Sequence, residues 1–148
     1  MKKFSFSLQK ILDMREFAAE QRKAELGVAV SAANRLRQSL EENIVKREQA
    51  CASRAGCADI GELRMIDTYV AGLDIKRDDL TVELAAAEEK VEECRAAYAA
   101  ALKLCKVLIN LKEKQYAEYK KECQRAEDLA LDEIGSRRTN QPDNSTAT

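Results

Sequence analysis

Residues 62–108 read ELRMIDTYVAGLDIKRDDLTVELAAAEEKVEECRAAYAAALKLCKVL, and this stretch decides the fold class. Apolar side chains recur in it at alternating spacings of three and four residues, sustained over six heptads. The repeat occupies fourteen positions, of which only Arg77 is charged: 63, 66, 70, 73, 77, 80, 84, 87, 91, 94, 98, 101, 105 and 108. A heptad pattern of this length predicts a coiled coil rather than a helix on the surface of a globular core.

The chain on either side of this stretch continues the pattern less regularly. After Cys105 we expect the register to slip by one residue, which is a stutter that would locally unwind a supercoil. The stripe would then pass through Ile109, Tyr116, Tyr119, Cys123, Ala126 and Ala130. An earlier stripe follows the same spacing at Leu8, Leu12, Ala19, Leu26, Ala29, Ala33, Leu36 and Leu40, and it is expected to step to Ile44 and Cys51.

The glycines and the helix-capping signal between the two stripes predict a hairpin. Gly56 and Gly61 bracket a short segment, and Asp59 precedes Glu62 by three residues, which resembles a capping box at a helix start. A turn there places Leu26 opposite Val91, so apolar positions of one stripe meet those of the other. Residues 1–55 carry 11 Lys/Arg and 7 Asp/Glu, whereas residues 56–148 carry 14 and 19. Opposite charge balances favour pairing of the two segments.

The expected fold is therefore all-α, with two long helices in one antiparallel coiled-coil hairpin. The hairpin spans residues 1–135, with one helix over about 4–55, a turn over about 56–61 and a longer helix over about 62–134. Gly135 is expected to stop the second helix, because glycine favours the position just after a helix end. Residues 136–148 are polar and aperiodic, which predicts a disordered tail.

The composition argues against several functional classes. The 148 residues include no histidine and five glycines, so acid–base catalysis and a phosphate-binding loop lack their usual residues. Five scattered cysteines without a Cys-x-x-Cys pair are expected to be small apolar fillers, and neither a metal nor another cofactor is predicted. A net charge of −1 argues against nucleic-acid binding. Without an apolar run of about 20 residues, the chain is expected to be cytoplasmic and not inserted in a membrane.

The two predicted helices differ in length, and this difference suggests a binding surface. In the predicted register Phe4 lies opposite residue 113, so residues 114–134 would extend beyond the N-terminus without a partner in the same chain. This overhang carries Tyr116, Tyr119, Cys123, Leu129 and Ile134. An apolar stripe without an internal partner suggests an external one. The three phenylalanines near the N-terminus, Phe4, Phe6 and Phe17, are expected to pack on the second helix.

Two terminal motifs resemble the FliJ family of flagellar export proteins. The first is FSFSLQKILDMREFAAEQRKAELGVAV, with its pattern at Phe6, Leu8, Gln9, Ile11, Leu12 and Arg15. The second comprises LINLKEKQYAEYKKE and the later LDEI at 131–134. The resemblance covers most of residues 4–134.

The resemblance implies a component of the flagellar type III export apparatus, with a two-helix coiled coil similar to the central stalk subunit of rotary ATPases. The implied partners are the hexameric export ATPase, the cytoplasmic domain of the export gate and export chaperones, at the cytoplasmic side of the inner membrane. Residues implied at the ATPase end are Phe6, Leu8, Gln9, Leu12, Arg15, Lys112, Tyr116, Tyr119, Asp132 and Glu133. Residues implied at a gate-facing surface are Leu36, Leu40, Tyr69 and Leu73.

Two alternatives remain open at the level of sequence. One is a homodimeric coiled-coil scaffold with no ATPase partner, whereas the hairpin interpretation predicts a monomer in isolation. The other is a nucleic-acid-binding arm, against which the acidic second segment argues.

Overall fold

A computed structural model describes residues 2–140, in which the chain forms two helices and no strand. Helix α1 is Gln9–Arg54 and helix α2 is Ile60–Thr139. The chain divides into two compact units. The turn unit is Glu16–Lys103, and the terminal unit combines Met1–Arg15 with Leu104–Thr148, of which residues 2–15 and 104–140 are described.

In the turn unit the two helices pack antiparallel, as predicted. Ala29 and Ala33 of α1 and Val91 of α2 form a buried cluster, against which Leu26, Val30, Ala87 and Cys94 pack. All fourteen heptad positions of residues 62–108 are buried or half-buried. We call the residues through which each helix faces the other the seam.

Charged pairs flank the seam of the turn unit and follow the predicted charge asymmetry. Each pair joins a base on α1 to an acid on α2: Arg37 to Glu88 at 3.0 Å, Arg47 to Asp74 at 2.7 Å, and Arg54 to Asp67. The Arg54 pair lies nearest the turn and the Arg37 pair farther from it, which fixes the antiparallel direction. Because these side chains are about half exposed, each pair contributes little stability.

The predicted step of the first stripe to Ile44 is wrong. Ile44 is largely exposed, and Asn43 is instead 3% exposed in the seam. The heptad spacing continues from Leu40 through Asn43 and Arg47 to the buried Ala50. The two polar residues were not recognised as seam residues because the hydrophobicity pattern does not reveal their partners. Asn43 donates to the Leu73 carbonyl, and Arg47 donates to the Asp74 carboxylate.

The turn occupies residues 55–59, slightly earlier than predicted. Asp59 caps α2, because its carboxylate accepts a hydrogen bond from the Gly61 N–H at 3.2 Å and its carbonyl accepts one from the Leu63 N–H. The helix therefore starts at Ile60 instead of residue 62. Gly61 lies within the first turn of the helix and does not end the loop.

In the terminal unit, α1 begins at Gln9 and not at residue 4. Residues 2–6 are outside any helix, and a turn follows in which the Gln9 N–H donates to the Phe6 carbonyl. Serines alternate with phenylalanines at 4–7, and serine side chains compete with the helix for backbone hydrogen bonds. Phe4 contacts Tyr116 and Tyr119 of α2, beyond the residue 113 that the predicted register placed opposite it.

The predicted stutter after Cys105 is also wrong. The half-buried positions of α2 continue in register at Leu108, Lys112, Gln115 and Tyr119, whereas Ile109 is exposed. Lys112 remains in the seam because its ammonium donates to the Gln9 side chain at 2.8 Å. Because the hydrogen-bonded Lys112 occupies a seam position where an apolar residue is usual, the hydrophobicity pattern alone indicated a shift of register.

Helix α2 continues past the predicted stop. Gly135 has a helical conformation, and no described glycine has the positive φ of a helix-ending cap. Residues 136–139 of the predicted disordered tail are therefore helical. Arg137 and Arg138 lie in the last turn, where positive charge interacts favourably with the helix dipole. The rest of the predicted tail, residues 141–148, lies outside the described residues.

Candidate partner-binding surfaces

An aromatic cluster joins the N-terminal segment to α2 in the terminal unit. The Phe4 ring packs edge-on against Tyr116, with ring centroids 5.1 Å apart, and lies 5.5 Å from Tyr119. The Tyr119 hydroxyl donates a hydrogen bond to the Lys2 carbonyl at 2.8 Å. The expectation that the two tyrosines lack any partner in their own chain is therefore wrong. The overhang of α2 begins beyond Tyr119.

The two tyrosines differ in their surroundings. Tyr116 remains 43% exposed, and the Lys120 ammonium lies 4.9 Å from its ring centroid, within range of a cation–π interaction. Tyr119 is half-buried, and a hydrogen bond with the Cys123 thiol, together with burial, raises its pKa. The protonated hydroxyl is the form that donates to the Lys2 carbonyl.

All ten residues expected at the ATPase end lie in the terminal unit, but they have different environments. Phe6 and Leu12 are buried, which makes them structural supports of this end. Gln9 accepts from Lys112 and donates to Asp13, so it links the two helices. The remaining candidates are half-buried or exposed: Leu8, Tyr119, Arg15, Tyr116, Asp132 and Glu133.

The end of α2 presents exposed apolar side chains in the terminal unit. Every residue from 124 to 140 is exposed. Leu129 and Leu131 are 66% and 65% exposed, and Ile134 is 53% exposed. Leu131 and Ile134, three residues apart, lie on one face of the helix, whereas Leu129 lies on another. Asp132 and Glu133 lie between Leu131 and Ile134 in sequence, so the end of α2 carries both aliphatic and acidic groups.

Sequence reasoning identified part of this surface. Phe4 packs on α2 as expected, against the two tyrosines, whereas Phe17 is 65% exposed and does not. Leu129 and Ile134 were placed on the overhang, but they were not included among the residues of the ATPase end because that set followed the family resemblance.

The four residues expected at a gate-facing surface lie in the turn unit, and the structure separates them. Leu73 is buried in the seam, and Leu36 and Leu40 are half-buried. Tyr69 alone is well exposed, at 50%. It lines a shallow groove with Met65, Lys46 and Ala50, between α1 and α2. The exposed surface near these residues is therefore centred on Tyr69 and Met65.

Residues 2–140 contain no cluster of Cys, Asp or Glu suited to hold a metal ion. The pKa of the Cys57 thiol is raised by burial and by a hydrogen bond with Glu62, which disfavours the reactive thiolate. Neither helix has a stretch both long and apolar enough to cross a bilayer, as judged over the same residues.

Comparison with known proteins supplies the family. The model of the family described as Flagellar FliJ protein matches residues 4–144, which is nearly the whole chain. Searches among curated proteins and among solved structures gave no match. The match includes both terminal motifs and the complete heptad region between them. The chain belongs to the FliJ family of flagellar proteins, which is associated with flagellar protein export.

Proposed function

We propose that this chain is a non-catalytic, stalk-like component of the flagellar type III export apparatus. In this proposal the terminal unit binds the hexameric export ATPase, and the turn unit faces the cytoplasmic domain of the export gate. Export chaperones are further partners. The chain would act in the cytoplasm, associated peripherally with the inner membrane at the flagellar base, as a monomer before assembly.

The observation that carries the proposal is the exposed end of α2 together with the tyrosine cluster of the same unit. Leu129, Leu131 and Ile134 expose aliphatic side chains to solvent, and Tyr116 adds a partly exposed aromatic ring. Tyrosine side chains that become buried on association are among the main contributors to the binding free energy of an interface, and aliphatic side chains add hydrophobic burial. Asp132 and Glu133 add negative charge suited to basic groups on the partner.

The gate-facing role rests on a separate surface. Tyr69 and Met65 are exposed in the turn unit, whereas the nearby seam residue Leu73 is buried. Because Leu73 is buried, its part in this role is to support α2 beneath Tyr69.

ATP hydrolysis by the cognate export ATPase, measured with and without the chain, tests the proposal. Replacing Tyr116 and Tyr119 with Ala should weaken stimulation at least about tenfold, because each lost interface anchor is worth about 1–2 kcal/mol. Tyr69→Ala is the matched control, since it removes an exposed tyrosine from the other unit and should leave stimulation unchanged. Helicity and Tm are measured in parallel. Native-level stimulation by the double variant would refute the assignment of the ATPase end.

A further inference from the structure

The α2 face that carries Tyr119 is covered by the chain's own N-terminus. Seam positions of α2 continue at heptad spacing through Lys112, Gln115 and Tyr119, but the helical part of α1 begins only at Gln9. Residues 2–5, which we call the N-terminal cover, therefore occupy this part of the face in a non-helical conformation. A face with heptad spacing is shaped to receive a helix.

The N-terminal cover is held by few contacts. Phe4 provides the ring contacts to the two tyrosines, and the Lys2 carbonyl accepts the Tyr119 hydroxyl. Lys3 and Ser5 are exposed. By contrast the next residue, Phe6, is buried, and the Gln9–Lys112 hydrogen bond fixes the start of α1. Local opening is easiest where few buried contacts hold a segment, so the cover can leave while Phe6 and α1 remain in place.

The N-terminal cover also fills its site incompletely. A groove lined by Phe4, Lys112, Glu113 and Tyr116 stays open beside it. Departure of the cover would expose both tyrosine rings, which are among the seven aromatic residues of the sequence. Tyrosine rings of this kind are preferred anchors in interfaces.

We propose that the N-terminal cover is an autoinhibitory contact, which an apolar helical segment of the partner displaces from the Tyr116–Tyr119 face. This inference rests on the proposed function, in which that partner is the export ATPase. Because only the open form binds, the apparent Kd equals the intrinsic Kd divided by the fraction of molecules in which the cover is open. Loosening the cover should therefore tighten binding, although it removes contacts from the free protein.

The test compares the affinity of four full-length variants for the export ATPase. Phe4→Ala removes the ring of the cover, and Tyr119→Phe removes only the hydroxyl bound to Lys2 while keeping the aromatic anchor. Both should lower the apparent Kd, by about threefold or more if the cover is mostly closed. Tyr116→Ala should instead raise the Kd, because it removes an anchor. Phe17→Ala, an exposed phenylalanine of the turn unit, is the control and should change nothing.

The outcomes separate this inference from the proposed function. Suppose that the native chain binds the ATPase, but that Phe4→Ala or Tyr119→Phe weakens binding or leaves it unchanged. The cover is then not autoinhibitory, and this inference is overturned while the proposed function stands. If the native chain does not bind the ATPase, the proposed function fails, and the inference fails with it. Circular dichroism of each variant confirms that helicity is retained, so that an affinity change is not a consequence of unfolding.

Discussion

Asn43→Leu should stabilise the protein, although it removes an interhelical hydrogen bond. Asn43 is 3% exposed, its amide nitrogen donates to the Leu73 carbonyl at 3.2 Å, and its side-chain oxygen has no partner among the described residues. A buried polar atom without a partner costs about 1–3 kcal/mol, whereas the hydrogen bond contributes about 1 kcal/mol. Leucine removes the unpaired oxygen and adds apolar burial, so the free energy of unfolding should rise by about 1–3 kcal/mol.

Thermal and urea unfolding followed by circular dichroism measure this change. At this chain length 1 kcal/mol corresponds to a Tm shift of about 2–4 °C. Leu73→Ala is the control at the facing seam position, and it should lower stability by about 2–5 kcal/mol through the cavity that it leaves. A lower stability for Asn43→Leu would refute the reasoning, because it would show that the Asn43 oxygen is satisfied. Polar seam residues of coiled coils commonly reduce stability in exchange for a defined pairing.

Further predictions concern the cap, an ion pair and the seam of the terminal unit. Asp59→Ala should lower the free energy of unfolding by about 1 kcal/mol, while Asp59→Ser should retain most of it, as chemical denaturation will show. The Arg47 guanidinium, chiefly through its hydrogen bond, lowers the pKa of Asp74. The stabilisation is therefore present above the unfolded pKa of about 3.9 and is lost as the pH falls through the lower folded pKa. Asp74→Asn should flatten the fall of Tm below about pH 4, and parallel profiles would contradict this. Leu12→Ala should lower the free energy of unfolding by about 2–5 kcal/mol, because Leu12 is 2% exposed. The neighbouring Ile11 is 44% exposed, so Ile11→Ala should lower it by only about 0.5 kcal/mol. Equal losses in unfolding experiments would contradict the assigned seam.

The sequence predicted the fold well because the heptad repeat depends on local spacing alone. The antiparallel packing of α1 on α2, with Leu26 beside the cluster that contains Val91, followed from the position of the turn. The errors occurred where a polar side chain occupies a seam position with a specific partner, as at Asn43 and Lys112. Hydrophobicity cannot reveal such partners, since they depend on which residue of the other helix lies opposite.

The candidate site was predicted only in part for a related reason. The tyrosines of α2 were identified, but their contact with Phe4 was missed because the predicted register placed Phe4 opposite residue 113. The contacts of Phe4 with Tyr116 and of Gln9 with Lys112 lie farther along α2 than that register allows. The helix end at Gly135 was missed because glycine permits a helix stop without requiring one, and two arginines in the following turn favour continuation.

Sedimentation velocity of the chain mixed with its cognate export ATPase, under conditions in which the ATPase forms hexamers, tests the central claim most directly. A stalk-like role predicts that the 16.6 kDa chain sediments with the ring, saturating at one chain per hexamer. The Tyr116→Ala, Tyr119→Ala double variant should sediment separately at the same micromolar concentrations. Independent sedimentation of the native chain, or saturation at six chains per hexamer, would contradict the account.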